Sequence, residues 1–139
     1  MIIIISRSDP NFKKDIRLVN YWPFDANVYD VIGIAHLYDG VNSSFSTDRF
    51  NRANRALSLN SGYYKIPSGV YFDGSDFTFT CWVKVKQRVN FARIFEVANG
   101  LNMDAVLITV HLDGRLVFSY SNDATFTLLY YSNTVLALN

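Results

Sequence analysis

The chain has 139 residues and a formal net charge of +1, from 13 basic and 12 acidic side chains. A charge this balanced does not favour nucleic acid, a polyanion or a membrane surface as the binding partner. Half of the residues are hydrophobic and 16% are aromatic. That content argues against disorder and is enough for the core of one domain spanning residues 1–139. No apolar run approaches the ~20 residues that a membrane-spanning helix needs.

Four consecutive isoleucines follow Met1. The run is shorter than the ~7–15-residue apolar core of a signal peptide, and no small-residue cleavage site follows it. Left exposed, an uncharged and β-prone segment of this kind would promote aggregation. We therefore expect the isoleucines to be paired into a sheet or buried.

The rest of the chain alternates short apolar runs with turn-forming residues, a pattern typical of all-β proteins. The spacing of ~8–12 residues between the runs predicts two packed antiparallel sheets and almost no helix. Asp113-Gly114, between two apolar runs, predicts a two-residue hairpin of the primed type. Strands are predicted at residues 2–6, 18–23, 56–59, 63–66, 77–86, 92–97, 105–112, 115–121 and 126–131.

The strand predicted at residues 77–86 has two different faces, because successive side chains of a strand point to opposite sides. One face is apolar and consists of Phe77, Phe79, Cys81 and Val83. The other face is mixed and consists of Thr78, Thr80, Trp82 and Lys84. Cys81 is the one cysteine of the chain, which excludes an internal disulfide, and its place on the apolar face predicts a buried thiol.

Five blocks of sequence occur in a familiar order. They are Tyr-Trp-Pro-Phe-Asp at 21–25, Asp-Arg-Phe at 48–50, Ala-Leu-Ser-Leu-Asn at 56–60, residues 63–67, and residues 77–84. Over residues 18–121 the chain resembles the LamG-like jellyroll domains of the concanavalin A-like lectin/glucanase superfamily. Asn51 and Asn60-Ser61-Gly62 stand where that family usually has glycines, and asparagine tolerates the same positive φ better than most residues.

The resemblance implies a two-sheet antiparallel β-sandwich, a concanavalin A-like jelly roll, in a larger extracellular or secreted protein. Members of the family usually continue beyond the hairpin at 113–114 with a Trp-His block and an Asn-Gly hairpin, and residues 131–139 contain neither. The jelly roll is therefore expected to be shortened at its C-terminal end. Two alternatives stay open: the chain is a fragment, or residues 2–5 and 126–138 take the places of the late strands.

A ligand-binding site is predicted on the mixed face, at Trp82 with Thr80 and Lys84. An aromatic ring provides apolar area for stacking on a sugar, and neighbouring polar groups fix its hydroxyls. The alternative is that Trp82 packs against a second sheet or under a loop. Arg49, Arg52 and Arg55, spaced by three, are interpreted as a solvated loop rather than a phosphate-binding stripe.

Two clusters of oxygen-bearing side chains are candidates for calcium, which prefers several carboxylate and carbonyl oxygens on loops. One contains Asp25, Asn27 and Asp30; the other contains Asn99, Asn102 and Asp104. The family resemblance supports calcium, because related laminin-G and pentraxin-like domains often hold it at the rim of the sandwich. The alternative is that these residues form Asx turns that satisfy loop backbone. Asn42-Ser43-Ser44 fits the N-glycosylation pattern in a predicted loop.

No catalytic constellation is recognisable. Glycoside hydrolysis needs two carboxylic residues on either side of one bond, and Glu96 is the single glutamate. His36 and His111 lack a recognisable nucleophile nearby in sequence. We therefore predict that the chain is not an enzyme but a recognition module for a glycan or an extracellular protein. The alternatives are a structural or adhesive spacer of a larger protein, or a degenerate truncated domain without a ligand.

Overall fold

The computed structural model describes residues 3–7, 17–72, 76–100, 103–122 and 128–138. These residues form two compact units, Met1–Val83 and Lys84–Asn139, and contain nine strands and no helix. The first unit contains β1 (Ile3–Arg7), β2 (Arg17–Trp22), β3 (Tyr38–Ser46), β4 (Ala56–Lys65) and β5 (Phe77–Cys81). The second contains β6 (Ala92–Val97), β7 (Ala105–Val110), β8 (Arg115–Ser121) and β9 (Leu128–Val135). The all-β class predicted from the sequence is confirmed.

Every ladder between these strands is antiparallel. In the described residues of the first unit, one sheet has the order β2-β1-β5 and a separate ribbon pairs β3 with β4. β1 is the central strand of its sheet, with Ile4 opposite Tyr21 on one side and Thr80 on the other. The expectation that the isoleucines pair into a sheet is confirmed for residues 3–5.

The β3–β4 ribbon differs from the prediction. The sequence of β3, Tyr-Asp-Gly-Val-Asn-Ser-Ser-Phe-Ser, is too polar to be recognised as a strand by its apolar content. β4 is continuous where two separate strands, at residues 56–59 and 63–66, were predicted. The register shifts beside Val41, and both Asn42 and Ser61 have positive φ. The turn-forming residues therefore produce irregularities within two long paired strands rather than a reversal of the chain.

β5 shows the predicted alternation over its shorter length. Phe77, Phe79 and Cys81 are half-buried, while Thr78 and Thr80 are exposed. The strand ends at Cys81 rather than near residue 86, and Val83, predicted to lie on the apolar face, is exposed. The end of β5 frees Trp82 from the ladder.

The Cys81 thiol is expected to react slowly in the folded protein. Burial raises its pKa from an ordinary value of 9.0 to about 11. Only the thiolate reacts, so at pH 8 a disulfide reagent should modify the folded chain roughly 100-fold more slowly than the urea-unfolded chain. Equal rates in the two states, measured by absorbance of the released thiolate, would contradict burial of this side chain.

The second unit consists of one four-stranded sheet with the order β6-β7-β8-β9. Its central strand, β7, is buried on both faces, because Ala105, Leu107 and Thr109 alternate with Val106 and Val110, and all five are buried. Phe95 on β6 and Val117 on β8 complete this core. β9 begins at Leu128 and extends to Val135, beyond the end predicted at residue 131.

The β7–β8 hairpin is closed by three residues rather than by a two-residue primed turn. The His111 N–H donates to Arg115 O at 2.9 Å, and the Gly114 N–H donates to His111 O at 2.8 Å. Gly114 has a φ of 91°, whereas Asp113 is not among the residues with positive φ. A primed type I′ turn requires positive φ at both central residues, and here Gly114 alone provides the left-handed position after an ordinary turn.

Candidate ligand-binding site

An exposed arrangement of aromatic rings and positive charge in the first unit lies around Trp82. The Trp82 side chain is 58% exposed. The guanidinium carbon of Arg49 lies 3.9 Å from the centre of the Trp82 ring and 4.1 Å from that of Phe50, which is also 58% exposed. We call Arg49, Phe50 and Trp82 the Trp82 cluster. Arg49 bridges two aromatic rings that are far apart in sequence.

The turn at residues 48–52 holds one side of this cluster. Asp48 Oδ1 accepts hydrogen bonds from the N–H groups of Phe50 and Arg52, both at 2.9 Å. Asp48 Oδ2 accepts from Arg52 Nε at 2.8 Å and lies 2.6 Å from Arg52 Nη2. Asn51 sits in the left-handed region with a φ of 63°. The carboxylate thus organises the backbone that carries Arg49 and Phe50.

Asp48 stays ionised at every ordinary pH. Removal from water alone would raise its pKa, but hydrogen bonds from the Arg52 side chain and from the N–H groups of Arg52 and Phe50 lower it to about 2. Each of these donors favours the charged form. The turn therefore keeps its shape in neutral and mildly acidic solution.

The three arginines of this region have different partners. Arg52 pairs with Asp48, and Arg55 Nε lies 2.8 Å from Asp25 Oδ1. Among the described residues no carboxylate pairs with Arg49, whose neighbours are the Phe50 and Trp82 rings. From the sequence, these arginines were interpreted as a solvated loop rather than a phosphate-binding stripe. Two of the three are exposed side chains paired with carboxylates, which agrees with that interpretation.

The other predicted ligand-binding residues are also exposed. Thr80 lies on β5, in register with Ile4, and its side chain faces solvent. Lys84 is exposed and is the first residue of the second unit. Trp82, Thr80 and Lys84 stay predicted ligand-binding residues, whereas sequence reasoning assigned no such role to Arg49 and Phe50. Their signal in the sequence is the Asp-Arg-Phe block, where Asp48 shapes the turn that presents both side chains.

Asp30, a predicted calcium ligand, is a buried structural carboxylate with 3% exposure. Its two oxygens accept five hydrogen bonds, from Asn20 Nδ2 at 2.6 Å and from the N–H groups of Tyr21 at 3.0 Å, Ile32 at 3.1 Å, Gly33 at 3.0 Å and Ala35 at 3.2 Å. Five donor hydrogens directed at one carboxylate compete with a cation for the same lone pairs. The Asp30 side chain therefore anchors the loop that follows β2.

The remaining residues of that cluster make their own contacts. Asp25 pairs with Arg55, and its carbonyl oxygen accepts from Asn27 Nδ2 at 2.8 Å. Asn27 Oδ1 accepts from the Tyr29 N–H at 3.0 Å. These are Asx-type contacts, the alternative weighed for this cluster.

In the second cluster, Asn99 Nδ2 donates to Asp104 Oδ2 at 3.1 Å, and Asn102 lies outside the described residues. Over residues 3–7, 17–72, 76–100, 103–122 and 128–138, no three His, Cys, Asp or Glu side chains converge on one point. Calcium at either cluster stays a prediction.

Asn42, the predicted glycosylation site, lies within β3 and not in a loop. Its side chain is exposed and its φ is 45°, at the irregularity in the ribbon. The acceptor amide therefore projects from a strand whose pairing is locally broken.

The residues considered for catalysis are held in other contacts. Arg93 Nε lies 2.6 Å from Glu96 Oε2, and His36 Nδ1 accepts from the Asp30 N–H at 3.1 Å. His111 Nδ1 lies 3.0 Å from Asp113 Oδ1, which also accepts from the Arg115 N–H. These last contacts belong to the β7–β8 hairpin, and hydrogen bonds from the Arg115 side chain hold the pKa of Asp113 well below its ordinary value.

Comparison of the chain with protein-family models, curated proteins and solved structures found no match. The similarity to LamG-like domains rests on the five sequence blocks and stays an expectation. In the described part of the chain, no helix is long and apolar enough to cross a membrane.

Proposed function

We propose that the chain is a non-catalytic recognition module that binds a glycan at the Trp82 cluster. The observation that supports this is an exposed indole fixed beside a guanidinium on a turn braced by Asp48. An exposed aromatic beside an arginine side chain is the arrangement expected of a sugar-binding surface and not of a spacer.

Stacking explains why the indole would carry most of the affinity. The hydrophobic face of a pyranose covers an aromatic ring and removes apolar surface from water, while hydroxyl groups need planar or charged partners at the ring edge. Arg49 touches one face of Trp82, and Thr80 lies two residues earlier on β5. Because Arg49 lies over one face of Trp82, a sugar would stack on the opposite face and meet the Arg49 N–H donors around the edge of the indole.

We further propose that the sheets belong to a concanavalin A-like jelly roll in an extracellular protein. The sequence blocks support the fold, and the antiparallel strands agree with it. The exposed Asn42 acceptor supports the location. The alternatives of an extracellular protein ligand, or of a spacer without a ligand, are outcomes of the experiment below.

Replacing Trp82 with alanine is expected to weaken glycan binding roughly tenfold or more, because a stacked aromatic is the type of residue that dominates an interface. The measurement is titration of the full chain with glycans selected on an array. The chain has two tryptophans, and Trp22 is 1% exposed with its Nε1 donating to Ala35 O at 2.8 Å. Acrylamide quenching in the free chain therefore reports Trp82, and bound ligand should protect it.

Tyr29→Ala is the matched control, since Tyr29 is 59% exposed in the same unit. It should leave glycan affinity unchanged. Glycan binding that survives Trp82→Ala would place the site elsewhere, and an array without any bound glycan would favour the spacer or a protein ligand.

A further inference from the structure

We infer that the ligand at the Trp82 cluster is an acidic sugar, whose carboxylate or sulfate is bound by Arg49. This inference rests on the proposed function and narrows its ligand class. The observation behind it is the difference between Arg49 and the two arginines that follow it.

Charge pairing separates the three side chains. Asp48 neutralises Arg52 through two contacts at 2.6 and 2.8 Å, and Asp25 neutralises Arg55 at 2.8 Å. Arg49, exposed like the other two, has no carboxylate partner among the described residues. Of the three arginines, Arg49 alone has no ion pair within the described part of the chain, and its guanidinium lies directly against the exposed indole.

The position of Arg49 also leaves its donors available. A guanidinium is planar and carries its N–H donors at its edges, so contact of its central carbon with the Phe50 and Trp82 rings does not consume them. Stacking restricts the side chain before a ligand arrives, which reduces the entropy lost on binding. Such a preorganised fork matches the two oxygens of a carboxylate or sulfate.

The number of charges distinguishes an acidic sugar from a dense polyanion. Nucleic acids and polyphosphates are bound by several cations that neutralise successive phosphates. The chain carries a net charge of +1, and pairing leaves a single guanidinium at this place. One guanidinium beside two exposed aromatic rings fits one acidic group on a ring-shaped, partly apolar ligand.

The test compares glycans that differ only in charge. An array carrying uronic-acid, sialylated, sulfated and neutral glycans selects the tightest ligand, and its carboxyl-methylated or desulfated form serves as the neutral partner. Wild-type chain should bind the acidic form roughly tenfold or more tightly than the neutral form, as expected for hydrogen bonds to a charged group. The array also separates carboxylate from sulfate as the bound group.

Arg49→Gln should reduce this ratio to near one while the neutral form still binds and still protects Trp82 from acrylamide. Arg49→Lys, which keeps the charge but not the planar fork, should retain part of the ratio. Arg93→Gln is the matched control, because Arg93 is an exposed arginine paired with Glu96, and it should leave the ratio unchanged.

Neutral glycans bound as tightly as acidic ones would overturn the inference and leave the proposed function intact. A preference for acidic glycans that survives Arg49→Gln would also overturn it. An array on which no glycan is bound would overturn both the inference and the proposed function.

Discussion

Replacing Asp30 with alanine is expected to lower the free energy of unfolding by roughly 3–5 kcal/mol, because it leaves several buried donors without an acceptor. Four of the five donors are backbone N–H groups. Unlike a side-chain donor, a backbone N–H cannot rotate towards another acceptor without a change of the loop itself. Urea unfolding of the full chain, followed by the fluorescence of Trp22, measures the effect. Trp22 suits this purpose because its Nε1 donates to Ala35 O, within the loop that Asp30 holds.

Asp30→Asn is the matched variant. It keeps the size of the side chain and one carbonyl oxygen, so we expect it to lose less stability than Asp30→Ala. A loss below about 1 kcal/mol for Asp30→Ala would mean that water replaces the carboxylate and that the anchoring role is wrong.

The same carboxylate predicts a dependence on pH. Burial alone would raise the pKa of Asp30, but hydrogen bonds from the Tyr21 N–H, from Asn20 and from the N–H groups of Gly33 and Ile32 hold it below the ordinary value of 3.8. A carboxylate with a lowered folded pKa stabilises the fold above the unfolded pKa, and this contribution is lost as the pH falls through the folded pKa. The stability difference between wild type and Asp30→Asn should therefore shrink below pH 3.8.

Replacing Gly62 with alanine is expected to cost roughly 2–4 kcal/mol, because the new methyl group meets backbone and not a flexible side chain. A Cβ at this position would overlap Val41 O and would lie 2.6 Å from Asn42 O. Either the ribbon must open at its irregularity or the β4 backbone must move. The midpoint of thermal or urea unfolding measures the loss.

Gly69→Ala is the control, because it reduces the backbone freedom of the unfolded chain in the same way but introduces no steric overlap in the folded chain. A Cβ there would meet the Tyr71 ring at 3.5 Å or more, which is ordinary van der Waals contact. We expect a change within about 0.5–1 kcal/mol, of either sign. Equal effects at Gly62 and Gly69 would contradict the close approach of β3 and β4.

Strands with a local pattern were predictable from the sequence. The bounds of β6 and β8 match the predicted ranges, since alternating side chains and flanking turn residues act within one segment. The same alternation predicted the more buried face of β5, although Phe77, Phe79 and Cys81 are half-buried rather than fully buried. The isoleucines were expected to be paired into a sheet or buried, because an exposed uncharged β-prone run promotes aggregation, and the structure shows the pairing for residues 3–5.

Turn-forming residues were ambiguous, which explains the errors in the ribbon and the hairpin. Asn42 and Ser61 have positive φ, and a chain reversal and an irregularity within a strand both use that conformation. Propensity cannot distinguish these outcomes, because the choice depends on whether a second strand lies alongside. β3 has little apolar content, and its pairing with β4 is what makes it a strand.

The candidate site was decided by tertiary structure. Arg49 and Trp82 are far apart in the chain, and no local pattern indicates that a guanidinium covers that indole. Asp30 is likewise a buried anchor because Asn20 and Tyr21 on β2 donate hydrogen bonds to it. The Asp25-x-Asn27-x-x-Asp30 spacing does not predict these two donors. Local sequence sets which residues are polar, charged or turn-forming, whereas long-range pairing of the backbone decides which of them meet.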